Sequence, residues 1–239
     1  MEKKQLTSFI DKYHLAGNAN SVRLDIKDKK MSCNFITDDQ NVVGSVSMDN
    51  FDVEDVTLGV YATSQLTKLL TALDNDIKVR VNNADGTAFS INLSDSTTDV
   101  TFMLADLSVI RQVPAMKQLP DFNVKINLTK DFADKFVKSK NALPETENFA
   151  IESDALGTNM ILNYSTLNTN RITWPTKPEG EASDLKATCF SANLFKEILV
   201  ANKDAETGYI EVSSAGLARV TFTSKDYSST YYLVQLQAA

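Results

Sequence analysis

Proline, glycine, cysteine and histidine are all scarce in this 239-residue chain, and with 5 prolines and 8 glycines nothing suggests a collagenous or low-complexity chain. With His14 the only histidine and no cysteine beside it, no ligand set at zinc spacing can be assembled, so no metal centre is expected. Cys33 and Cys189 lie far apart, each in an apolar-alternating segment, which predicts buried free thiols and a reducing, cytoplasmic setting. No apolar run approaches the ~20 residues that span a bilayer. The opening Met1-Glu2-Lys3-Lys4-Gln5 leads into an amphipathic pattern rather than a signal peptide. Phosphate loops of the G-x-x-x-x-G-K-S/T kind are missing, as are the G-x-G-x-x-G fingerprint and the G-x-S-x-G elbow. The acid pair Asp38-Asp39 falls in an expected turn, where aspartate serves the backbone. No enzyme activity and no cofactor are therefore expected.

What remains is an ordinary globular composition, 43% hydrophobic and 23% charged, with a net charge of −7 and a pI near 4.8. Such a balance argues against indiscriminate coating of nucleic acid, which needs lysine and arginine. It leaves room for a local contact if the cations are gathered on one surface.

The order of predicted elements runs twice through the chain. In the first half a helix pattern covers Glu2–Leu15, followed by strands at Ser21–Lys27, Met31–Thr37, Val42–Met48 and Val56–Tyr61. A second helix pattern covers Ser64–Leu73, and strands follow at Ile77–Val81, Thr87–Leu93 and Asp99–Leu104. In the second half a strand at Phe122–Leu128 precedes a helix at Lys130–Ala142. Strands are then predicted at Asn148–Ser153, Asn159–Tyr164, Thr169–Trp174 and Leu185–Phe190. A last helix covers Ala192–Asn202, before strands at Tyr209–Ser213, Leu217–Thr223 and Ser228–Leu236. Corresponding elements are offset by roughly 125–130 residues, about one domain length. The expected organisation is an N-terminal domain over 1–105, a connector over 106–121 and a C-terminal domain over 122–239. The connector is too apolar for a solvated linker, holding Val109, Ile110, Val113, Met116 and Leu119.

Each helix pattern carries a single apolar stripe: Leu6, Phe9, Ile10 and Tyr13; Leu66, Leu69, Leu70 and Leu73; Phe132, Ala133, Phe136 and Val137; Leu194, Phe195, Ile198 and Leu199. Thr63, Thr129 and Ser191 stand as N-caps before three of them. Turning each helix by ~100° per residue places Lys4 and, obliquely, Lys12 away from the first stripe. Lys68 faces away from the second, Lys135 and Lys138 from the third, and Lys196 and Lys203 from the fourth. Surface helices carry lysine for solubility alone; what stands out is recurrence on every helix of an acidic chain. Asp11, Asp131 and Asp134 dilute the effect.

This layout resembles the DNA sliding clamps with two-domain subunits, the eukaryotic and archaeal proliferating cell nuclear antigen and the T-even-type phage clamps. The likeness spans nearly the whole chain and rests on three pieces. Asp52-Val53-Glu54-Asp55-Val56-Thr57-Leu58-Gly59-Val60-Tyr61 with the following helix is similar to the phage clamp's entry into its second pore helix. The apolar central segment is similar to the interdomain connector, and Thr230-Tyr231-Tyr232-Leu233-Val234-Gln235-Leu236 to the closing strand of the nuclear antigen. The resemblance implies an α+β fold, two similar domains with antiparallel sheets outside and two helices each on an inner face, closing as a homotrimeric ring. It implies a processivity factor that encircles double-stranded DNA without sequence preference, tethers a DNA polymerase and is placed by an ATP-dependent clamp loader. In a phage-encoded protein the setting is the host cytoplasm.

Carried over residue by residue, Lys4, Lys12, Lys68, Lys135, Lys138, Lys196 and Lys203 become candidates for DNA contact. Val42, Val43, Met116, Leu119, Tyr232 and Val234 become candidates for a partner-peptide pocket, though ordinary interdomain core explains them equally well. Subunit edges are expected at Asp99, Val100, Thr101, Phe102, Met103 and Leu104 against Thr169, Asn170, Arg171, Ile172, Thr173 and Trp174. The competing expectation is a β-rich virion or assembly protein that polymerises through the same edges.

Overall fold

The computed structural model describes residues 1–114, 118–167 and 169–236. The chain divides into two compact units, Met1–Pro114 with Asp226–Ser229 and Ala115–Lys225 with Thr230–Ala239. The division falls within the apolar 106–121 segment. That residues 226–229 belong with the first unit does not follow from the sequence pattern.

In the first unit, α1 (Lys3–His14) opens on a reciprocal cap, with the Glu2 N–H donating to Gln5 Oε1 at 3.3 Å. Its stripe of Leu6, Phe9, Ile10 and Tyr13 is buried. There follow β1 (Val22–Lys27), β2 (Lys30–Ile36), β3 (Val42–Met48) and β4 (Val56–Val60), which lie side by side in the antiparallel order β4-β1-β2-β3. The β1–β2 hairpin turns through Asp28 and Lys29 at φ 51° and 61°, the primed geometry that matches strand twist. Helix α2 (Thr63–Leu70) leads to a second sheet of β5 (Lys78–Ala84), β6 (Thr87–Ser94) and β7 (Asp99–Met103), in that order. Leu6 and Ile10, Leu24 and Leu58, Leu66, and Val79 and Ile91 meet in one apolar interior fed by both helices and both sheets.

Two expectations at α2 are corrected. Thr63 is its first helical residue and fully buried, not its N-cap. The capping oxygen is Asn20 Oδ1, which accepts from the Ser64 N–H at 2.8 Å and the Ser64 hydroxyl at 2.9 Å. The helix also ends at Leu70, although Leu73 beyond it stays buried. His14 is structural: its Nε2 lies 3.1 Å from Ser64 Oγ, joining the end of α1 to the start of α2, and burial lowers its pKa.

In the second unit, β8 (Val124–Asn127) precedes α3 (Lys130–Ala142), where the Thr129 hydroxyl caps the Phe132 N–H at 3.2 Å. One sheet has the order β11-β10-β9-β12, from β9 (Asn148–Asp154), β10 (Gly157–Leu162), β11 (Ile172–Thr176) and β12 (Leu185–Ser191). Ser191 then caps α4 (Ala192–Ala201) through the Leu194 N–H at 3.3 Å. The last strands are β13 (Thr207–Ser213), β14 (Leu217–Thr223) and β15 (Tyr227–Val234), ordered β15-β14-β13-β8. The core is aromatic. Phe136 of α3 meets Phe195 of α4 at 4.8 Å, Phe149 of β9 at 5.4 Å and Trp174 of β11 at 6.4 Å, all near edge-to-face.

Candidate nucleic-acid interface and free sheet edges

Each unit bears a pair of helices in contact with one another, α1 with α2 and α3 with α4. Lys4 and Lys68 are exposed on the first pair; Lys135 and Lys138 are exposed and Lys196 half-exposed on the second, while Lys203, expected on the last helix, is exposed in the turn just past it because α4 ends at Ala201. Lys68 is the only charged residue within α2. Lys12 departs from expectation: it is 2% exposed, its ammonium donating to Ser8 Oγ at 3.2 Å and lying 5.0 Å from the Tyr227 ring. Its oblique position on the helix, together with an aromatic ring supplied from far along the sequence, turns it inward.

Several cations on strands and turns are ion-paired, though Lys27, Lys78, Arg80 and Lys186 on strands are not among them. On the strands and their turns, Lys29 pairs with Asp52 at 2.9 Å, Lys30 with Asp49 at 3.3 Å, Lys125 with Glu179 at 2.9 Å and Arg219 with Glu211 at 2.5 Å. Among the described residues, Lys4, Lys68, Lys135, Lys138, Lys196 and Lys203 take part in no ion pair. A cation without a carboxylate partner keeps its field available to an outside anion. Lys135 leans along α3, its ammonium 5.3 Å from the Trp174 ring. One lysine that the helix periodicity does not single out belongs here. Lys140 is 5% exposed and donates to the Pro144 carbonyl at 2.6 Å. Burial, and then the positive charge of Lys196, lower its pKa.

Most sheet edges are covered. The Ala105 N–H donates to Gly59 O of β4 at 2.9 Å, an approach that any Cβ on Gly59 would block by meeting Ala105 O. Glu179 and Ser183 donate to Lys125 and Asn123 along β8 at 2.7 and 3.0 Å, and Leu236 donates to Cys189 of β12 at 2.9 Å. Strand β5 is blunted instead, with Lys78 and Arg80 exposed and a register shift at Asn82/Asn83. Among the described residues no backbone is paired with the outer side of β7 or β11.

The two edges expected from sequence are therefore terminal strands of their sheets, with adjusted bounds. Leu104 lies just past β7, while β11 begins at Ile172, so Thr169, Asn170 and Arg171 precede it and Pro175 and Thr176 extend it. Val100, Phe102 and Trp174 are buried, whereas Asp99, Thr101, Met103 and Thr173 are exposed. A cleft of about 310 Å³ flanks β7, lined by Tyr61, Gln65, Leu69 and Met103. Another of about 630 Å³ flanks β11, lined by Phe132, Lys135, Trp174 and Pro175.

The expected peptide-pocket residues are distributed over both units. Val42 is fully buried in the first unit and offers no surface, while Val43 is half-buried. In the second, Leu119 and Tyr232 are half-buried and Val234 is exposed; Met116 lies outside the described residues. Both cysteines are free and buried. Among the described residues no three His, Cys, Asp or Glu side chains cluster to hold a metal ion, and no helix is long and apolar enough to cross a membrane.

No family model matches the sequence, and no curated protein matches it. Solved structures do. The PCNA of A. fulgidus, bound to the C-terminal region of FEN-1, superposes with a TM-score of 0.78 at 15% identity, covering 100% of this chain and 98% of that one. The proliferating cellular nuclear antigen of Entamoeba histolytica gives 0.76 at 16% identity over 99% and 97% of the two chains. A chain of the PCNA2-PCNA3 complex of Sulfolobus tokodaii gives 0.73 at 13% identity over 98% and 97%. End to end, then, this chain has the fold of the DNA sliding clamps, an α+β architecture in two units.

Proposed function

We propose that this chain is the subunit of a sliding clamp, a homotrimeric processivity factor that encircles duplex DNA and tethers a replicative polymerase. The observation that carries this reading is the recurrence of unpaired lysine on all four helices of a clamp fold. Lys4, Lys68, Lys135, Lys138 and Lys196 on the helices, and Lys203 just past α4, have no carboxylate partner among the described residues, whereas Lys30 and Lys125 on strands and Lys29 in a turn are paired. Screened, sequence-independent attraction of this kind holds a duplex without fixing its register, which is what sliding requires. Strands β7 and β11 supply the subunit edges. Leu119, Tyr232 and Val234 of the second unit, and separately Val43 of the first, are the candidates for contact with a partner peptide, in keeping with the FEN-1 region bound to the A. fulgidus protein. An ATP-dependent loader opens and closes the ring on DNA, and the two-domain form fits a phage-encoded protein acting in host cytoplasm.

Primer extension on primed circular DNA, with polymerase and loader present, tests this. Product length per binding event should rise sharply when the chain is added at low polymerase concentration. Unchanged product length would overturn the proposal.

A further inference from the structure

The edge strand β11 contains a proline, and its register shows where the missing N–H would point. Pro175 lies opposite Asn159 in the β10–β11 ladder. A pair that includes proline cannot exchange two N–H···O bonds, so this one is of the non-hydrogen-bonded kind. The Pro175 nitrogen and carbonyl therefore face away from β10, toward the free edge. Alternation fixes the rest: Ile172, Trp174 and Thr176 bond inward to Leu162, Met160 and Thr158, and Thr173 faces outward with Pro175.

Strand β7 is read the same way. The Leu104 N–H donates to Phe89 O at 2.9 Å, one step beyond the Ser90↔Met103 pair. Leu104, Phe102 and Val100 thus turn their backbone toward β6, while Met103, Thr101 and Asp99 turn theirs outward. The β7 edge has a donor and an acceptor at each outward position. The β11 edge has both at Thr173 and only an acceptor at Pro175.

The geometry points to Pro175 as a built-in stop on the subunit seam. A second copy's β7 pairs with β11 through Thr173 and the residues before it, and the ladder ends where Pro175 withholds its donor. This rests on the reading of β7 and β11 as subunit edges. The occupant is another copy of this chain, because charge selects it. Asp99 is the only charged residue of β7, whereas Arg171 and Lys177 flank β11. The alternative edge, β5, carries Lys78 and Arg80, which repel that pair of cations, and its register shift disturbs the ladder. A seam shortened in this way gives a ring that closes by itself yet is readily opened, since each additional buried backbone bond would have to be broken at every opening.

The test is the oligomer dissociation constant, from a dilution series by sedimentation, for the native chain, Pro175→Thr and Thr173→Pro. Pro175→Thr restores the donor and should tighten association about 5–10-fold, the effect of one additional hydrogen bond. Pro175→Ala should act in the same direction. Thr173→Pro removes an outward donor and no bond to β10, so far-UV circular dichroism should stay native while association weakens about tenfold or more. Dissociation by Thr173→Pro without tightening by Pro175→Thr would overturn the stop and leave the edge assignment standing. An oligomer indifferent to Thr173→Pro, or a native chain monomeric at every concentration, would remove the edge assignment itself.

Discussion

Retention on circular DNA is expected to fall about tenfold or more at physiological salt when Lys68, Lys138 and Lys196 are changed together to glutamate, because phosphate attraction is the whole of sequence-independent binding. Each change removes a cation and installs an anion on a helix, and a ring repeats the change in every subunit. The salt dependence should flatten as well, by about one slope unit for each phosphate that the variant no longer neutralises. Folding should be spared: Lys68 and Lys138 are exposed and Lys196 half-exposed, and a carboxylate at position 196 would oppose the ammonium of Lys140 rather than be orphaned. The matched control reverses Lys29, Lys30 and Lys125, which are ion-paired on strands and turns. Exposed pairs of that kind contribute little to stability, so this variant should fold and remain on DNA. Equal loss in both variants would show that net charge, and not the helix faces, holds the duplex.

The largest expected effect on stability comes from Phe136→Ala, at about 3–5 kcal/mol. Phe136 has no exposed surface and is the meeting point of α3, α4, β9 and β11, with Phe195, Phe149 and Trp174 around it. Truncation leaves a void among rigid rings that cannot close without moving α3. Urea unfolding should show the midpoint reduced for the second unit. Because Trp174 belongs to the β11 edge, the subunit seam should weaken in the same variant. A loss below about 1 kcal/mol would mean that the aromatic cluster is not the keystone of this unit.

These two predictions draw on features that the sequence discloses to different degrees. The helices are legible because a 3.6-residue period sustained over ten or more positions is hard to mistake. Helix α3 runs over Lys130–Ala142, the span its periodicity predicts, with its Thr129 cap. The α2 cap is not legible, since the oxygen that supplies it belongs to Asn20, 44 residues before Ser64. Nor is the fate of Lys12: periodicity gives an angle on the helix, but only the fold brings Tyr227 over it. Lys140 escapes for the same reason, its ammonium held on the Pro144 carbonyl while its stem is buried.

The strands show a similar division. Alternation reveals which side chains face inward, as in the burial of Val100 and Phe102, but it does not say which strand is last in a sheet. Proline is the exception, because it is tolerated only where no ladder bond is needed. Pro175 and Pro178 are therefore a readable sign that the chain near β11 runs along an edge.

A sliding clamp requires that DNA pass through the assembled protein. The measurement is the residence of loaded protein on a closed DNA circle before and after a single cut that linearises it. Topological linkage predicts long residence on the circle and rapid loss from the free ends once it is cut. Equal residence on the circular and linear forms would contradict a ring around the duplex and leave only a surface that adheres to DNA.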